Sequence, residues 1–515
     1  MTDRRTAEDC RNFSEVIRFQ SRVNPERIFL LDLKTNRSYS YREFDLVVEK
    51  TAGFLLSKGV RKGERVTAII ENSPEYCFFY FASLRIGAIF NPMPYISHRK
   101  EIEKNIDLVE PALVLIDQRR EKEFAEWKHG PIFIPVDSDR QFEKRIAGMP
   151  DTIVPGIEVD TDRPACLYYS SGTTSDPKGV LFSHKNMIAN IASVCRGFRF
   201  SRENEIHLVF LPLGHTASIN YSFLPCAFLG GKILLAENFW DIRNKIWDLI
   251  EDHRVTYMET VPTVLYSLLN IYKHKIDQDL SSLRFVGCGS APLQKSIQLE
   301  FENKFGLKVA NLYGLSETGP THIDYPLDPG WNPGSIGVPL DVNEAFIMGE
   351  RGEELQPGQT GEIVLKGDNV FVGYFKNDKL YRDVVRDGYF YTGDLGCKDK
   401  QGIYYFIDRK KDIIIKGGIN IIPGEIDEIL MQHPAVREGL TIGIPDAVFG
   451  EEIRSFVVLK DGMSAPSSAI LAHCREHLPK IKIPREVIVV DALPKTHSGK
   501  LLRKKMRKRS TRQTR

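Results

Sequence analysis

The 515-residue sequence lacks several features of secreted and membrane proteins. Its eight cysteines are scattered and include no CxxC pair, which argues against a zinc site or a disulfide framework and favours reduced thiols. The N-terminal segment has no apolar core of signal-peptide length. The most apolar segment, YCFFYFASLRIGAIF, is interrupted by Arg85 and is too short to span a bilayer. These absences predict a cytoplasmic protein without a membrane span.

The sequence also has little net charge, no internal repeats and no Gly/Ser-rich spacer. A formal net charge of +2 gives no reason to expect nucleic acid as a partner. The one basic cluster, RKKMRKRSTRQTR at the C-terminal end, is either a solvated tail or a surface for an anionic partner. The length of 515 residues exceeds what one hydrophobic core usually supports, so we expect two or more domains.

Strand-like and helix-like patterns alternate from about residue 28 to residue 320. RVTAII precedes the helical pattern PEYCFFYFASLRIG, and LRFVGCG precedes PLQKSIQLEFENKFG. Such alternation predicts an α/β fold whose large N-terminal domain contains parallel-type sheets flanked by helices. After Pro320, short strands separated by Gly and Asp turns predict a small β-barrel-like subdomain at about residues 321–407.

The remaining sequence predicts a second, smaller domain. The charged stretch DRKKD, at residues 408–412, is followed by a helix-like, a strand-like and another helix-like pattern: PGEIDEILMQHP, IRSFVVLKDG and SSAILAHCREHL. A segment of this size is sufficient for a small α+β domain. We therefore predict domains at residues 1–407 and 413–515, joined by a hinge at 408–412.

The segment LYYSSGTTSDPKGVLFSH, residues 167–184, admits several kinds of chemistry. It is not a mononucleotide P-loop, because its lysine precedes the second glycine and Val180 occupies the Ser/Thr position. Ser175 and Lys178 match the SxxK pattern of serine acyl-enzymes, but Pro177 opposes the helix that this pattern requires. An anion-binding loop and a plain surface turn remain, and composition alone leaves both open.

Seven ordered motifs decide between an anion-binding loop and a surface turn. They are YSSGTTSDPKGVLFSH at 169–184, LPLGHTAS at 211–218, GCGSAPL at 287–293, YGLSETG at 313–319, YTGDLG at 391–396, DRKKDIIIKGGINIIPGEID at 408–427 and LPKTHSGKLLRKKM at 493–506. In this order they resemble the signatures of the acyl-adenylate-forming superfamily, which includes acyl-CoA synthetases, aryl-CoA ligases, firefly luciferase and peptide-synthetase adenylation domains. The resemblance covers nearly the whole chain and identifies the first motif as a phosphate loop.

The resemblance implies an ATP-dependent acid–thiol ligase of the acyl-CoA synthetase branch. A carboxylate would attack the α-phosphate of ATP, giving acyl-AMP and pyrophosphate, and the thiol of CoA would then displace AMP. The implied cofactors are ATP, Mg²⁺ and coenzyme A, and the implied substrate is a small carboxylic acid. An α-amino acid is disfavoured because LPLGHTASINYS lacks the aspartate that peptide synthetases carry there. Transfer to an acyl carrier protein, or a non-catalytic adenylate-binding scaffold, remains as an alternative.

The resemblance further implies the residues that would bind the nucleotide and the thiol. The phosphate loop would contain Ser170, Ser171, Gly172, Thr173, Thr174 and Lys178. The adenine pocket and its surroundings would contain Gly289, Ser290, Ala291, Pro292, Asn311, Tyr313 and Gly314, and Ser316 would hydrogen-bond the α-phosphate. The ribose would contact Asp394 and Arg409, and the thiol tunnel would contact Lys416, Gly417 and Gly418.

Four further roles follow from the same motifs. Lys500 would enter the site from a mobile C-terminal domain and stabilise charge in the adenylation transition state. Glu317 would act in catalysis as the magnesium ligand, because a hard cation prefers oxygen ligands. His215 would line the acyl pocket and meet the carboxylate. Lys411 would be the hinge residue about which the C-terminal domain rotates between the two half-reactions.

Overall fold

We analysed a computed structural model of the protein, which describes residues 6–124, 130–136, 141–149, 159–170, 178–201, 204–495 and 501–507. No helix within these ranges is long and apolar enough to cross a membrane. All eight cysteines fall inside the described ranges, and no disulfide joins any two of them.

The strands of the described residues are numbered β1 to β26 in chain order. They are Ile28–Asp32, Arg37–Ser40, Arg65–Ile69, Ile89–Pro92, Leu113–Asp117, Ile132–Val136, Pro164–Ser170, Lys178–Ser183, Ile206–Val209, Lys232–Leu235, Tyr257–Thr260, Phe285–Cys288, Val309–Leu315, Gly319–Ile323, Val338–Pro339, Asn343–Met348, Gly361–Gly367, Gly373–Tyr374, Val385–Arg386, Tyr389–Lys398, Tyr404–Arg409, Ile414–Lys416, Ile419–Ile421, Val436–Asp446, Gly450–Leu459 and Glu486–Val489.

The α-helices of the described residues are numbered α1 to α16. They are Phe13–Val23, Tyr41–Ser57, Pro74–Arg85, Arg99–Val109, Glu121–Phe124, Gln141–Ile146, His184–Gly197, Thr216–Ser218, Leu224–Leu229, Phe239–Ile242, Ile246–His253, Pro262–Ile271, Lys295–Phe305, Asp378–Val384, Pro423–Gln432 and Ser467–His477. Short 3₁₀ turns occur at Ala7–Asp9, Gln118–Arg120, Lys410–Asp412 and Lys480–Lys482, and a π-helical turn at Ile219–Phe223.

Two large sheets form the body of the protein. The first has nine strands in the order β15-β14-β13-β12-β11-β9-β10-β1-β2, of which β13, β12, β11, β9, β10 and β1 are parallel. The second has seven strands in the order β18-β8-β7-β4-β3-β5-β6, with antiparallel pairing only between β7, β8 and β18. Parallel strands need crossover connections, and helices supply them here.

Helix α3 shows how the sequence determines this packing. Ser73 accepts a hydrogen bond from the backbone of Tyr76 as the N-cap, and Pro74 occupies the first turn, where its missing N–H costs nothing. All twelve residues of α3 are buried, and between Glu75 at its start and Arg85 at its end the sequence YCFFYFASL is largely apolar around the whole helix. A helix that is apolar on every side is stable only when it is surrounded by protein, as α3 is.

Two smaller sheets follow, each of five strands. Strands β16, β17, β19, β20 and β21 form an antiparallel sheet, and β22 to β26 form a sheet in which only β25 and β26 are parallel. The predicted α/β fold class, with a large N-terminal part and a smaller C-terminal part, is confirmed. Because β14 and β15 pair within the nine-stranded sheet, the antiparallel sheet begins at Asn343. The domain boundaries remain a prediction.

The 3₁₀ turn Lys410–Asp412 lies between the last two sheets. On one side of it, Asp408 accepts a hydrogen bond of 2.9 Å from the backbone N–H of Gly424. Arg503 forms an ion pair of 2.7 Å with the buried Asp427 and lies 3.8 Å from Asp408. Arg503 belongs to the basic C-terminal cluster, so this part of the cluster is packed; residues 508–515 lie outside the described residues.

Candidate active site

Three groups of predicted site residues lie at the carboxyl ends of neighbouring parallel strands. His215 comes after β9, the segment 289–292 follows β12, and Tyr313 lies near the end of β13. Strands β9, β11, β12 and β13 are consecutive in the nine-stranded sheet, so these segments share one edge. In open α/β sheets, ligands bind at this edge because connecting loops of adjacent strands form a crevice there.

The phosphate-loop motif lies between two antiparallel strands. Ser170 at the end of β7 is paired in register with Lys178 at the start of β8. The ammonium of Lys178 is 5.4 Å from the centre of the Tyr374 ring, and the Tyr374 hydroxyl donates a hydrogen bond of 2.8 Å to Glu317 Oε1. Tyr374 therefore connects the predicted phosphate-loop lysine with the predicted magnesium ligand. Ser171, Gly172, Thr173 and Thr174 lie outside the described residues.

The motif analysis did not single out Tyr374, although its environment suits a fixed hydrogen-bond donor. Burial and the neighbouring Glu317 raise the pKa of Tyr374, so its hydroxyl keeps the proton at physiological pH. The side chain reaches this position because β18 pairs with β8, with Tyr374 opposite Val180. The only sequence signal was an aromatic pair in the segment GYF, which is common in buried strands.

Asp394 and Arg409 form an ion pair on two neighbouring strands. They are opposite each other in the pairing of β20 with β21, and Arg409 Nε is 2.6 Å from Asp394 Oδ1. The Tyr313 hydroxyl donates a hydrogen bond of 2.9 Å to Asp394 Oδ2. Only 1% of Asp394 is exposed. Burial, with the charge of Asp394, raises the pKa of Tyr313 well above its usual value, so Tyr313 remains a donor.

The segment after β12 depends on close backbone packing. The N–H of Gly289 donates a hydrogen bond of 3.1 Å to the carbonyl of Thr260. A Cβ at position 289 would lie 2.9 Å from Leu312 Cβ, so only glycine fits without a shift. Ser290 has a φ of +65°, an uncommon conformation for a residue with a side chain. Ala291 and Pro292 complete the turn and are partly to fully exposed.

Strand β13 contributes the other predicted nucleotide contacts. Asn311 is buried and donates a hydrogen bond of 2.6 Å to the carbonyl of Ser335. Gly314 lies at an irregularity in the pairing of β13 with β14, where a Cβ would be 2.4 Å from the carbonyl oxygen of Gly319. Ser316 is half-buried in the turn that leads to Glu317. Asn311 is thus held by the protein itself, whereas Gly314 is exposed at the edge.

His215 caps the short helix α8. Its Nδ1 accepts a hydrogen bond of 3.3 Å from the backbone N–H of Ala217, and the ring is half-buried. The preceding Gly214 packs against the chain, because a Cβ there would be 3.0 Å from the carbonyl oxygen of Met93. The cap fixes the orientation of the imidazole at the sheet edge.

The predicted hinge and thiol-tunnel residues have different surroundings. Lys411 is exposed to solvent on one side, and the protein around it together with the charge of Arg409 lowers its pKa. Lys416 is buried in an ion pair with Glu452. Lys500 lies outside the described residues.

Gly417 and Gly418 form the two-residue turn between β22 and β23. Their φ values are +56° and +80°, the left-handed conformation that a tight hairpin of this kind requires. Both glycines are exposed. The turn places backbone groups, rather than side chains, at the tip of the hairpin.

Glu317 offers one carboxylate to a metal ion. Within the described ranges, the only three His, Cys or carboxylate groups whose ligand atoms lie within 4.8 Å of one another are those of His473, Glu476 and His477 on α16. An Mg²⁺ ion commonly takes one or two protein carboxylates and completes its shell with phosphate oxygens and water. The donor set around Glu317 fits an ion bound in this way.

Family models, relatives and a solved structure all match this chain over most of its length. The family of AMP-binding enzymes matches residues 17–375, and the AMP-binding enzyme C-terminal domain matches residues 425–500. A sulfoacetate–CoA ligase of Cupriavidus necator is 30% identical over 94% of both chains. A long-chain-fatty-acid–CoA ligase of Bacillus subtilis is 32% identical over 90% of this chain and 88% of its own. The crystal structure of ATP-bound MatB from Rhodopseudomonas palustris superimposes with a TM-score of 0.92 at 29% identity, covering 98% of this chain and 100% of that chain.

Proposed function

The chain belongs to the family of AMP-binding enzymes, and on this basis we propose that it is an ATP-dependent acid–CoA ligase. The carboxylate of an organic acid attacks the α-phosphate of ATP, which forms acyl-AMP and releases pyrophosphate. The thiol of CoA then attacks the acyl carbon and releases AMP. The relatives that match over nearly the whole chain are CoA ligases, which supports a thiol acceptor.

The observation that carries the proposal is the buried Asp394 held between Arg409 and Tyr313. A carboxylate fixed at the sheet edge can accept hydrogen bonds from both hydroxyls of a ribose, and the ring of Tyr313 would lie against the base. Lys178 lies near the ring of Tyr374, whose hydroxyl donates to Glu317, and a lysine and a carboxylate that share one neighbour suit the binding of phosphate groups with their cation. Adenylation needs alignment and charge stabilisation more than covalent participation by the protein, and these residues supply both.

Further parts of the proposal concern the ion, the acceptor and the location. Mg²⁺ bound through Glu317 would neutralise charge on the phosphate oxygens. Lys500 would supply the mobile positive charge for adenylation, and the Lys416–Gly418 hairpin would guide the thiol. CoA is the proposed acceptor. The phosphopantetheine of a carrier protein ends in the same thiol, so an experiment must distinguish the two acceptors. We also propose a cytoplasmic location.

The test is exchange of labelled pyrophosphate into ATP in the presence of a broad panel of acids. We expect exchange that depends on the acid and on Mg²⁺, and thioester formation when CoA is added. Replacing CoA by a phosphopantetheinylated carrier protein identifies the preferred acceptor. Absence of exchange with every short, medium, long, aromatic and charged acid would contradict the proposal.

A further inference from the structure

Glu259 is a buried acid for which the folded protein provides no partner. It lies in β11, between β9, which leads to His215, and β12, which leads to Gly289. The residue is 2% exposed, and neither oxygen of its carboxyl group has a hydrogen-bond partner among the described residues. Buried polar groups are almost always hydrogen-bonded, because leaving one unpaired costs free energy. An orphan carboxyl at this place therefore requires an explanation.

Glu205, the residue before β9 of the same sheet, is a buried acid that is paired. Glu205, also almost fully buried, receives Arg284 at 2.8 Å, Thr256 at 2.7 Å and His207 at 3.3 Å. No ion pair of the described residues includes Glu259, and burial alone raises the pKa of its carboxyl group well above the usual range. With no ligand present, Glu259 is therefore a neutral acid in an apolar setting.

The side chain of Glu259 lies on the side of the nine-stranded sheet that carries the π-helical turn after His215. Side chains alternate along a strand, so Glu259 is on the same face of β11 as Tyr257 and opposite to Met258. Tyr257 belongs to the core that contains the π-helical turn Ile219–Phe223, whereas Met258 packs in the separate core beneath helices α11 to α13. The π-helical turn follows His215 closely along the chain.

The titratable neighbours of Glu259 support this placement. Burial raises the pKa of Tyr221, in the π-helical turn, and Glu259 is the one titratable neighbour that adds to this increase. The carboxyl group also acts on Tyr257 of its own strand and on Cys288 of β12. Tyr221 donates its hydroxyl to the carbonyl of Tyr313 at 3.2 Å, and the Tyr257 hydroxyl has no partner among the described residues. Neither hydroxyl satisfies Glu259.

We propose that Glu259 determines substrate specificity by pairing with a positively charged group that the carboxylic acid carries away from its reacting carboxylate. This inference rests on the proposed ligase function. The substrate cation would supply the missing partner, and the carboxyl group would ionise when the cation enters. Aromatic side chains such as Tyr221 and Tyr257 favour an ammonium or quaternary ammonium group, whose charge interacts with their ring faces. The substrate class is thus an amino or trimethylammonio acid other than an α-amino acid.

The test compares acids that differ only in charge. In pyrophosphate exchange, 4-(trimethylammonio)butanoate is paired with 5,5-dimethylhexanoate, which replaces nitrogen by carbon, and 5-aminopentanoate is paired with 5-hydroxypentanoate. We expect the wild type to prefer each cationic acid by roughly 100-fold in kcat/KM, since removing one partner of a buried charge pair commonly costs this much. Glu259→Gln should remove the preference and leave the neutral acids within about threefold.

Glu75 provides a matched control. It is another glutamate of 2% exposure whose pKa burial raises, here to about 7, but it lies in α3. Glu75→Gln should keep the preference for cationic acids. Thermal unfolding and ATP binding of both variants show that each is folded.

A second experiment measures the protons released when the acid binds. Calorimetry in buffers of different ionisation enthalpy should show that a cationic acid releases about one proton on binding to the wild type and none on binding to Glu259→Gln. A wild type that uses neutral acids and rejects cationic ones, or that prefers the hydroxy acid to the amino acid, would overturn the inference and leave the ligase function intact. Exchange with no acid at all would refute the ligase function, and the inference with it.

Discussion

The proposed ribose site and the glycine hairpin at residues 417–418 differ in how far their side chains are fixed in advance. Asp394 is buried and already held by Arg409 and Tyr313. The hairpin at 416–419 is exposed at its tip, and apolar side chains around it are open to solvent, with Val448 82% and Ile415 54% exposed. Apolar side chains grouped on a surface usually mark a contact with another surface.

This difference suggests that the two half-reactions make different demands on the protein. Adenylation uses a preorganised site, because charge stabilisation is most effective when dipoles and charges are fixed in advance. For thioester formation we propose a surface that becomes complete only when the C-terminal part moves against the body. Variants of the two regions should therefore separate the two half-reactions.

The largest effect is expected for Lys500→Ala. Loss of a charge that acts in the transition state should reduce pyrophosphate exchange by about 1,000-fold, whereas thioester formation from supplied acyl-adenylate should stay within about fivefold. Lys505→Ala, at an exposed lysine of the same segment, is the control and should behave like the wild type. Equal loss of both half-reactions in Lys500→Ala would refute the division between the regions.

The next largest effect is expected for Asp394→Ala. The variant loses the acceptor for the ribose and leaves Arg409 without its ion pair, and hydrogen bonds to charged groups contribute about 1.5–3 kcal/mol each. The kcat/KM for ATP in exchange should fall by about 100-fold. Asp399→Ala, in the turn after the same strand, should change it by less than about threefold. An unchanged kcat/KM for ATP in Asp394→Ala would exclude a ribose contact.

A smaller effect, on thioester formation instead of adenylation, is expected for Gly418→Ala. Alanine in the left-handed conformation costs about 1–2 kcal/mol, so the hairpin should adopt its turn less often. Thioester formation should slow by about threefold to tenfold, with exchange unchanged. Gly462→Ala is the matched control, since Gly462 has a φ of +74° and equally open surroundings in another turn. If both variants slow thioester formation equally, the hairpin has no special role.

The smallest effect concerns stability and pH. His322, buried next to Tyr313, has its pKa lowered by burial to about 3, so the folded state keeps it neutral while the unfolded state gains a proton below about pH 6.5. Stability should therefore fall as pH decreases, by about 1 kcal/mol between pH 6.5 and 5.5. His322→Gln should weaken this dependence in thermal unfolding, and His274→Gln, at an exposed site, should not.

The sequence alone predicted those elements of the fold and of the candidate site that depend on local sequence patterns. Alternating apolar segments identified β3 and α3. The motif YTGDLG singled out Asp394, which the structure buries between Arg409 and Tyr313; its role in binding ribose stays a prediction. Tyr374 was missed because its position depends on the pairing of β18 with β8, nearly 200 residues earlier in the chain. Glu259 was missed because a missing partner is a property of three-dimensional packing; the one signal was a glutamate within the apolar strand YMETVP.

The formation of an acyl-adenylate intermediate is tested most directly by following the oxygen atoms of the acid. With a carboxylic acid labelled by ¹⁸O in both oxygens, attack on the α-phosphate followed by displacement with CoA transfers one labelled oxygen to AMP. Mass spectrometry should therefore find one ¹⁸O in each AMP formed and one in each thioester. AMP without label, or label in inorganic phosphate, would contradict an acyl-adenylate intermediate.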